Sequence, residues 1–249
     1  MAIKKIGIII GIVAVAGAFF FFKQMGSNDR TDFYYKDEFD SLNSEMWYVG
    51  EWGTGFPKPE KVSIENGILT AKVGETDRGP FMLSKPIEIK VNSLITIKRR
   101  VKLKYGNNQF TGGFGLFQTE QKTLEPQLID KDWYKNFGQS LMLMEYVHTT
   151  DKKSTRPGNH NFRLLVPDWQ TTENFAIAKP IFDEWFEETF TFDCGSGRVT
   201  YTNGDKLLVL KGYRPSQPNF RMFMHPYGFY TGHEMKMDWI EIKVTQPNQ

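Results

Sequence analysis

The sequence predicts an all-β fold, a two-sheet antiparallel β-sandwich preceded by one N-terminal transmembrane helix. From Phe33 to Val244, short alternating or apolar runs are separated by Gly, Asn, Asp and Pro, and no long amphipathic helical pattern interrupts them. Before that region lies one uncharged apolar run that is too long for a strand. The predicted boundaries are a signal anchor over 1–23, a tether over 24–32, the β-domain over 33–245 and a tail over 246–249.

The apolar run, residues 6–22, is bracketed by Lys4, Lys5 and Lys23. Its helical length of roughly 25 Å is slightly short of a hydrocarbon core, and the flanking lysines can snorkel outward. A cleaved signal peptide is the alternative, because small residues around Ala16 and Ala18 fit a cleavage pattern. Cleavage there would leave four phenylalanines exposed at the new N-terminus, which favours a retained anchor.

The charges around the run predict its orientation. Lys4, Lys5 and the terminal amine precede it, so the positive-inside rule places the N-terminus in the cytoplasm. The β-domain is then expected on the periplasmic or extracellular side.

Composition limits the partners. The chain has 31 Lys and Arg against 29 Asp and Glu, a net charge of +2, and its only compact basic run is Lys98-Arg99-Arg100. Nucleic acid is therefore not an expected partner. Cys194 is the only cysteine, which excludes an intrachain disulfide and is typical of an ordinary turn residue.

Strand patterns occur throughout the domain, and Gly-containing turns join two of the pairs. Asn203-Gly204 and Asn66-Gly67 predict tight hairpins, because these residues tolerate the positive φ values of two-residue turns. The twelve predicted strands are 62–65, 68–73, 87–89, 94–105, 113–118, 141–148, 162–166, 185–192, 199–202, 206–210, 221–225 and 236–244.

Four segments together resemble a known superfamily. They are Phe33–Trp47, Val62–Leu69, Gly197–Gly204 and Met237–Val244, and in this order they are similar to the concanavalin A-like jelly rolls, most of all to glycoside hydrolase family sixteen, the laminarinase and lichenase group. The resemblance implies two curved sheets whose concave face forms a glycan cleft, with catalysis by a Glu-x-Asp-x-x-Glu strand.

The chain departs from that family at the catalytic strand. Glu145 matches the last acid, which puts Ser140 and Met142 where the nucleophile and the helper aspartate should stand. The shorter Glu-x-Asp-x-Glu spacing puts Leu141 and Leu143 there instead. Glycosidic hydrolysis normally needs two carboxyl groups, so hydrolase activity is disfavoured.

The strand around Glu145 leaves two arrangements open. Met142, Met144, Tyr146 and His148 alternate on one face, opposite a face of aliphatic residues that also carries Glu145. If the methionine face lines the concave surface, the cleft is apolar and suits a protein or lipid contact. If the aliphatic face lines it, Glu145 belongs to the cleft.

Aromatic residues are the other candidates for glycan binding, since their rings stack on pyranose C–H faces. Tryptophans in strand-like apolar patterns are expected in the core, and aromatic residues in polar, Gly- or Pro-adjacent stretches are the better platforms. The expected core tryptophans are Trp47, Trp185 and Trp239, and the candidate platforms are Trp52, Trp133, Tyr134 and Trp169.

A metal site has one candidate. Asp238 matches an aspartate that helps hold a structural calcium in the similar enzymes, so the resemblance implies Asp238 as a calcium ligand. The histidines His148, His160, His225 and His233 lack metal-ligand spacing and are expected to be ordinary surface or edge residues.

The sequence thus favours a membrane-anchored, extracytoplasmic and catalytically silent jelly roll that binds a polysaccharide or glycoconjugate. Two alternatives stay open. The domain is a structural accessory subunit bound to other subunits of a membrane or envelope complex, or it is a glycoside hydrolase or transglycosylase that pairs Glu145 with a second acid such as Glu120, Asp168 or Glu173.

Overall fold

The computed structural model describes residues 30–51, 59–74, 79–106, 109–120, 122, 141–149, 160–165, 182–203, 206–210, 214–215, 217–225 and 232–246. The predicted span at 6–22 lies outside these residues, and so does the cleavage alternative. Within the described residues no helix has the length and hydropathy needed to cross a membrane.

Fifteen strands and one short 3-10 helix, Pro59–Lys61, make up the described fold. The strands are β1 (Arg30–Asp37), β2 (Trp47–Glu51), β3 (Val62–Glu65), β4 (Ile68–Lys72), β5 (Pro80–Ser84), β6 (Ile87–Glu88), β7 (Leu94–Lys104), β8 (Gln109–Thr119), β9 (Leu141–Thr149), β10 (His160–Leu165), β11 (Trp185–Asp193), β12 (Arg198–Asn203), β13 (Lys206–Leu210), β14 (Asn219–His225) and β15 (Glu234–Gln246).

The strands form two sheets. Sheet A has eight strands in the order β13-β12-β11-β7-β15-β4-β3, with β1 beside β15. Sheet B has seven strands in the order β10-β9-β8-β14-β5-β2, with β6 beside β14. Every strand pair is antiparallel, which confirms the predicted two-sheet antiparallel sandwich.

Alternation along the strands builds the core between the sheets. In β7, Ile97, Val101 and Leu103 are buried on the inner face, while Lys98 and Lys104 are exposed on the other. The inner face of sheet B contributes Phe114 and Leu116 from β8 to the same core. The alternation of side chains along each strand therefore decides which face of each sheet is buried.

Both predicted hairpins occur. Glu65 pairs with Ile68, and the two residues between them, Asn66 and Gly67, have φ values of 52° and 74°. These values are those of a type I′ turn. β12 and β13 pair as predicted, but Asn203 pairs with Lys206, so it is a strand residue and not a turn residue.

The domain is larger at its N-terminal side than the sequence indicates. β1 begins at Arg30, inside the segment predicted as a tether, and pairs with the last strand, β15. Three strands, β1, β2 and β5, were not among the twelve predicted ones.

A polar cluster lies inside the sandwich. Arg99 of β7 and Glu188 of β11 are directly opposite in register, and Arg99 Nε donates to Glu188 Oε1 at 2.5 Å. Tyr201 of β12 donates to Glu188 Oε2 at 2.8 Å. The Arg99 guanidinium also lies 4.0 Å from the ring centroid of Phe114 in sheet B. Burial raises the pKa of Glu188, against the opposing effect of Arg99.

Candidate functional site

The outer face of sheet B, the face that points away from sheet A, is the candidate site. Phe114 and Leu116 of β8 belong to the core, so the alternate residues Gly113 and Gly115 lie on the outer face. Residues directly opposite in an antiparallel pair share a face, so the register identifies the outer face of every neighbouring strand.

The register settles the two arrangements left open for β9. Met144 is opposite Phe114 and Met142 is opposite Leu116, which puts the methionine positions on the core face. Glu145 is opposite Gly113, so its position lies on the outer face together with Leu143. The backbone thus puts the aliphatic face with Glu145, and not the methionine face, on the outside of sheet B.

Glu145 belongs to a row of four positions across the sheet. Arg163 of β10 is opposite Glu145, Glu145 is opposite Gly113, and Gly113 is opposite His225 of β14. Gly113 carries no side chain, and neither does Gly115 in the adjacent row. Only backbone therefore lies between the Glu145 and His225 positions of this row, and Gly113 and Gly115 are both buried.

The eight positions nearest to Glu145 on the outer face contain no second carboxylic acid. Positions directly opposite lie about 5 Å away and diagonal ones about 7–8 Å, the range in which glycosidases place their second carboxyl group. The eight positions are Leu143 and Val147 along β9, Gly113 and Arg163 directly across, and Thr111, Gly115, Asn161 and Leu165 on the diagonals.

The β14 part of this face is buried. Arg221 and Phe223 are 0% exposed and His225 is 3% exposed. The Phe223 ring centroid lies 5.8 Å from that of Phe81 and 5.0 Å from that of His225. Burial lowers the pKa of His225 to about 3, with a smaller contribution from the charge of Arg99, and burial lowers the pKa of Arg221 to about 10.

The prediction that His225 and His233 are ordinary surface or edge residues is wrong, because both are buried. For His225 the signal was present in the sequence. Met222 and Met224 indicate that β14 packs against the core, and the alternation then puts Arg221, Phe223 and His225 together on the opposite face.

The predicted aromatic platforms Trp52, Trp133, Tyr134 and Trp169 lie outside the described residues, so their role stays a prediction. Of the expected core tryptophans, Trp47 is confirmed: it is 3% exposed, and its Nε1 donates to Asp37 Oδ2 at 2.9 Å.

Trp185 and Trp239 differ from the expectation of core packing. Both are half-buried on the outer face of sheet A, opposite Lys102 and Arg100 respectively. The guanidinium of Arg100 lies 5.2 Å from the ring centroid of Trp185. The Trp185 ring therefore packs against a basic side chain on the sheet surface, and neither tryptophan fills the core.

Asp238 sits at a β-bulge between Met237 and Trp239, on the side of sheet A away from the core. Its carboxylate accepts a hydrogen bond from Arg100 Nη1. In the part of the chain that the structure describes, no group of three His, Cys, Asp or Glu could hold a metal ion. These residues do not by themselves make a calcium site, and the role of Asp238 as a calcium ligand stays a prediction.

Cys194 is 1% exposed in the turn after β11. Burial raises the pKa of its thiol to about 12. The thiolate needed by a nucleophile is therefore disfavoured, in agreement with the interpretation of Cys194 as an ordinary turn residue.

No family model matches the chain, and no curated protein matches it by sequence. Solved structures do match over most of the chain. Peanut lectin with a 9mer peptide covers 88% of this chain and 100% of its own at 9% identity and a TM-score of 0.61. The winged bean acidic lectin complexed with methyl-α-D-galactose has 11% identity, the same coverage and a TM-score of 0.57.

A bacteriophage protein gives a similar match. The CBM2 module of the evolved Dit of Lactobacillus casei BL23 phage J-1 covers 89% of this chain and 99% of its own at 11% identity and a TM-score of 0.57. A prokaryotic lichenase matches at a TM-score of 0.48, which is too low to carry the narrower resemblance to glycoside hydrolase family sixteen. The chain has the concanavalin A-like jelly-roll fold that lectins share.

Proposed function

We propose that this protein is a membrane-anchored, extracytoplasmic glycan-binding module that holds a carbohydrate without cleaving it. The observation that carries the proposal is the isolation of Glu145 among its eight neighbouring positions on the outer face of sheet B. A single carboxylate can accept hydrogen bonds from sugar hydroxyls, but hydrolysis normally needs a second carboxyl group across the scissile bond.

The geometry around Glu145 suits a sugar ring. Gly113 and Gly115 present no side chain between β9 and β14. Beside these glycines, Glu145 and Arg163 occupy opposite positions of one row, where they would supply acceptors and donors respectively. Two lectins of the same fold were solved with sugars, one with methyl-α-D-galactose and one with GalNAc, which supports the assignment of a carbohydrate as ligand.

The anchor assignment rests on residues 6–22 and their flanking lysines. A retained span with a cytoplasmic N-terminus would hold the jelly roll at the outer surface of the membrane. In that position the module would bind envelope or extracellular polysaccharide.

Binding is tested with the full chain in lipid nanodiscs on a glycan array, followed by calorimetry with the best polymer. We expect Trp133→Ala or Trp169→Ala to weaken binding by about 1–3 kcal/mol if the ring is an anchor. Trp185→Ala is the matched control, because Trp185 lies on the outer face of sheet A. The lectin assignment is contradicted if no glycan binds, or if Trp185→Ala weakens binding as much as the other two.

A further inference from the structure

A small pocket lies where the chain enters the domain, between β1 of sheet A and the β5–β6 connection of sheet B. Its volume is about 380 Å³, and its lining includes Arg30, Phe33, Lys85, Ile87 and Lys90. Two carboxylates, Asp32 and Glu88, also line it. The pocket thus combines cations with an apolar floor.

The carboxylates do not neutralise the pocket. Asp32 Oδ1 lies 3.0 Å from Arg30 Nε, and Asp32 Oδ2 lies 2.8 Å from Lys90 Nζ, so one acid is shared by two bases. Glu88 is exposed at the rim. Three bases therefore face two carboxylates, an arrangement with room for one more negative charge.

Lys85 is the base best placed to bind an additional anion. Its ammonium group lies 5.6 Å from the ring centroid of Phe33, and within the described residues it forms no ion pair. A ring holds an ammonium by its quadrupole without neutralising it. The Lys85 charge is thus positioned over an apolar surface and available to an anion.

The pocket lies close in sequence to the proposed membrane span, and this indicates the source of the anion. The proposed span ends at Phe22 and β1 starts at Arg30, so the seven residues between them limit the distance from the span to β1 to about 25 Å. The pocket is therefore held close to the lipid headgroups. Headgroup phosphate matches the bases, and the glycerol and first methylenes match Phe33 and Ile87.

We propose that this pocket binds the phosphate of an anionic lipid headgroup and so fixes the orientation of the jelly roll on the membrane. The proposal rests on the proposed membrane anchor but not on glycan binding. Because β1 belongs to sheet A, the contact would hold the sandwich by its N-terminal edge and leave the outer face of sheet B unobstructed by lipid.

The test uses the full chain in nanodiscs of phosphatidylcholine alone or with one third phosphatidylglycerol, followed by hydrogen–deuterium exchange. We expect slower exchange of 30–37 and 85–90 only in the anionic discs. Lys85→Gln should weaken this lipid effect about fivefold, the equivalent of about 1 kcal/mol for one base near an anionic surface. Lys85→Arg should retain it, which separates loss of charge from misfolding.

Lys72→Gln is the matched control, since Lys72 is an exposed strand lysine at the end of β4. Equal exchange in both kinds of disc, or equal loss in Lys72→Gln, would overturn the proposal. The same protection by soluble glycerol phosphate would assign the pocket to a free phosphate ligand instead of a lipid. A chain that fails to enter the discs would refute the anchor and this proposal together. Glycan binding would then be judged separately, on the same array with the full chain in mild detergent.

Discussion

Two glutamate–arginine pairs of this protein have the same backbone arrangement in different surroundings. Glu188 is opposite Arg99 on the inner face of sheet A, and Glu145 is opposite Arg163 on the outer face of sheet B. Glu188 is closed in, because Arg99 and Tyr201 occupy both of its oxygens and its side chain is 0% exposed. Glu145 instead has the bare Gly113 on its other side. The same pair of residue types stabilises the fold in one sheet and, under the proposed function, serves a ligand in the other.

The largest expected effect comes from breaking the inner pair. Arg99→Ala leaves a buried carboxylate without its cation, which should lower the free energy of unfolding by about 3–5 kcal/mol. The double variant Arg99→Met with Glu188→Leu removes both charges and should recover most of that loss. Chemical denaturation in mild detergent measures both. A loss below about 1 kcal/mol for Arg99→Ala would show that Glu188 is solvated, contrary to the structure.

The next largest effect is expected in the pH dependence of stability, which should have opposite signs for His225 in sheet B and Glu188 in sheet A. His225, on the outer face of sheet B, has a pKa lowered to about 3 by burial, so the folded state binds fewer protons than the unfolded state below the ordinary value of 6.5. Its contribution to stability is present above pH 6.5 and is lost as the pH falls toward 3. Between those values the slope is about 1.4 kcal/mol per pH unit.

The inner carboxylate acts in the opposite direction. Burial raises the pKa of Glu188 above 4.5, so the folded state binds more protons there and stability falls as the pH rises from 4.5. The free energy of unfolding is measured by denaturation at several pH values. His225→Phe should reduce its fall below pH 6.5, and Glu188→Gln should remove its fall above pH 4.5. An unchanged fall below pH 6.5 in His225→Phe would mean that this histidine is exposed to solvent.

The smallest effect is expected at a third pair, Arg100 and Asp238, on the outer face of sheet A. Their side chains are 40% and 30% exposed, so Asp238→Asn should change the free energy of unfolding by less than about 1 kcal/mol. Thermal melts with and without added calcium would measure this and test the predicted calcium role. If added calcium stabilises the wild-type chain but not Asp238→Asn, then Asp238 is a calcium ligand and not only a member of a surface ion pair.

The sequence predicts a strand well where polar and apolar residues alternate, so that one face is clearly polar. β7 was predicted almost to the residue because its lysines and its apolar residues alternate over the whole strand. β5 was missed because all five of its residues are buried, which removes the alternation, and because Pro80 opens it. β1 was missed in part because residues 30–32 look like the end of a tether until β15 pairs with them.

The candidate site shows the same limit. The sequence identifies Glu145 and the loss of its acidic partners. Because β9 is largely apolar on both faces, however, periodicity alone does not identify the buried face. Only the register against Phe114 and Leu116 decides it. Pairing across strands far apart in sequence also creates the row of Glu145, Gly113 and His225, which no local pattern contains.

The most direct test of binding without cleavage is calorimetry followed by product analysis of the same sample, using a polysaccharide selected on the array. The full chain should release heat on binding while the number of reducing ends stays constant, and Glu145→Gln should weaken the binding without changing the products. Reducing ends that accumulate with the wild-type chain and vanish with Glu145→Gln would contradict the account, because they would require a second acid to reach Glu145.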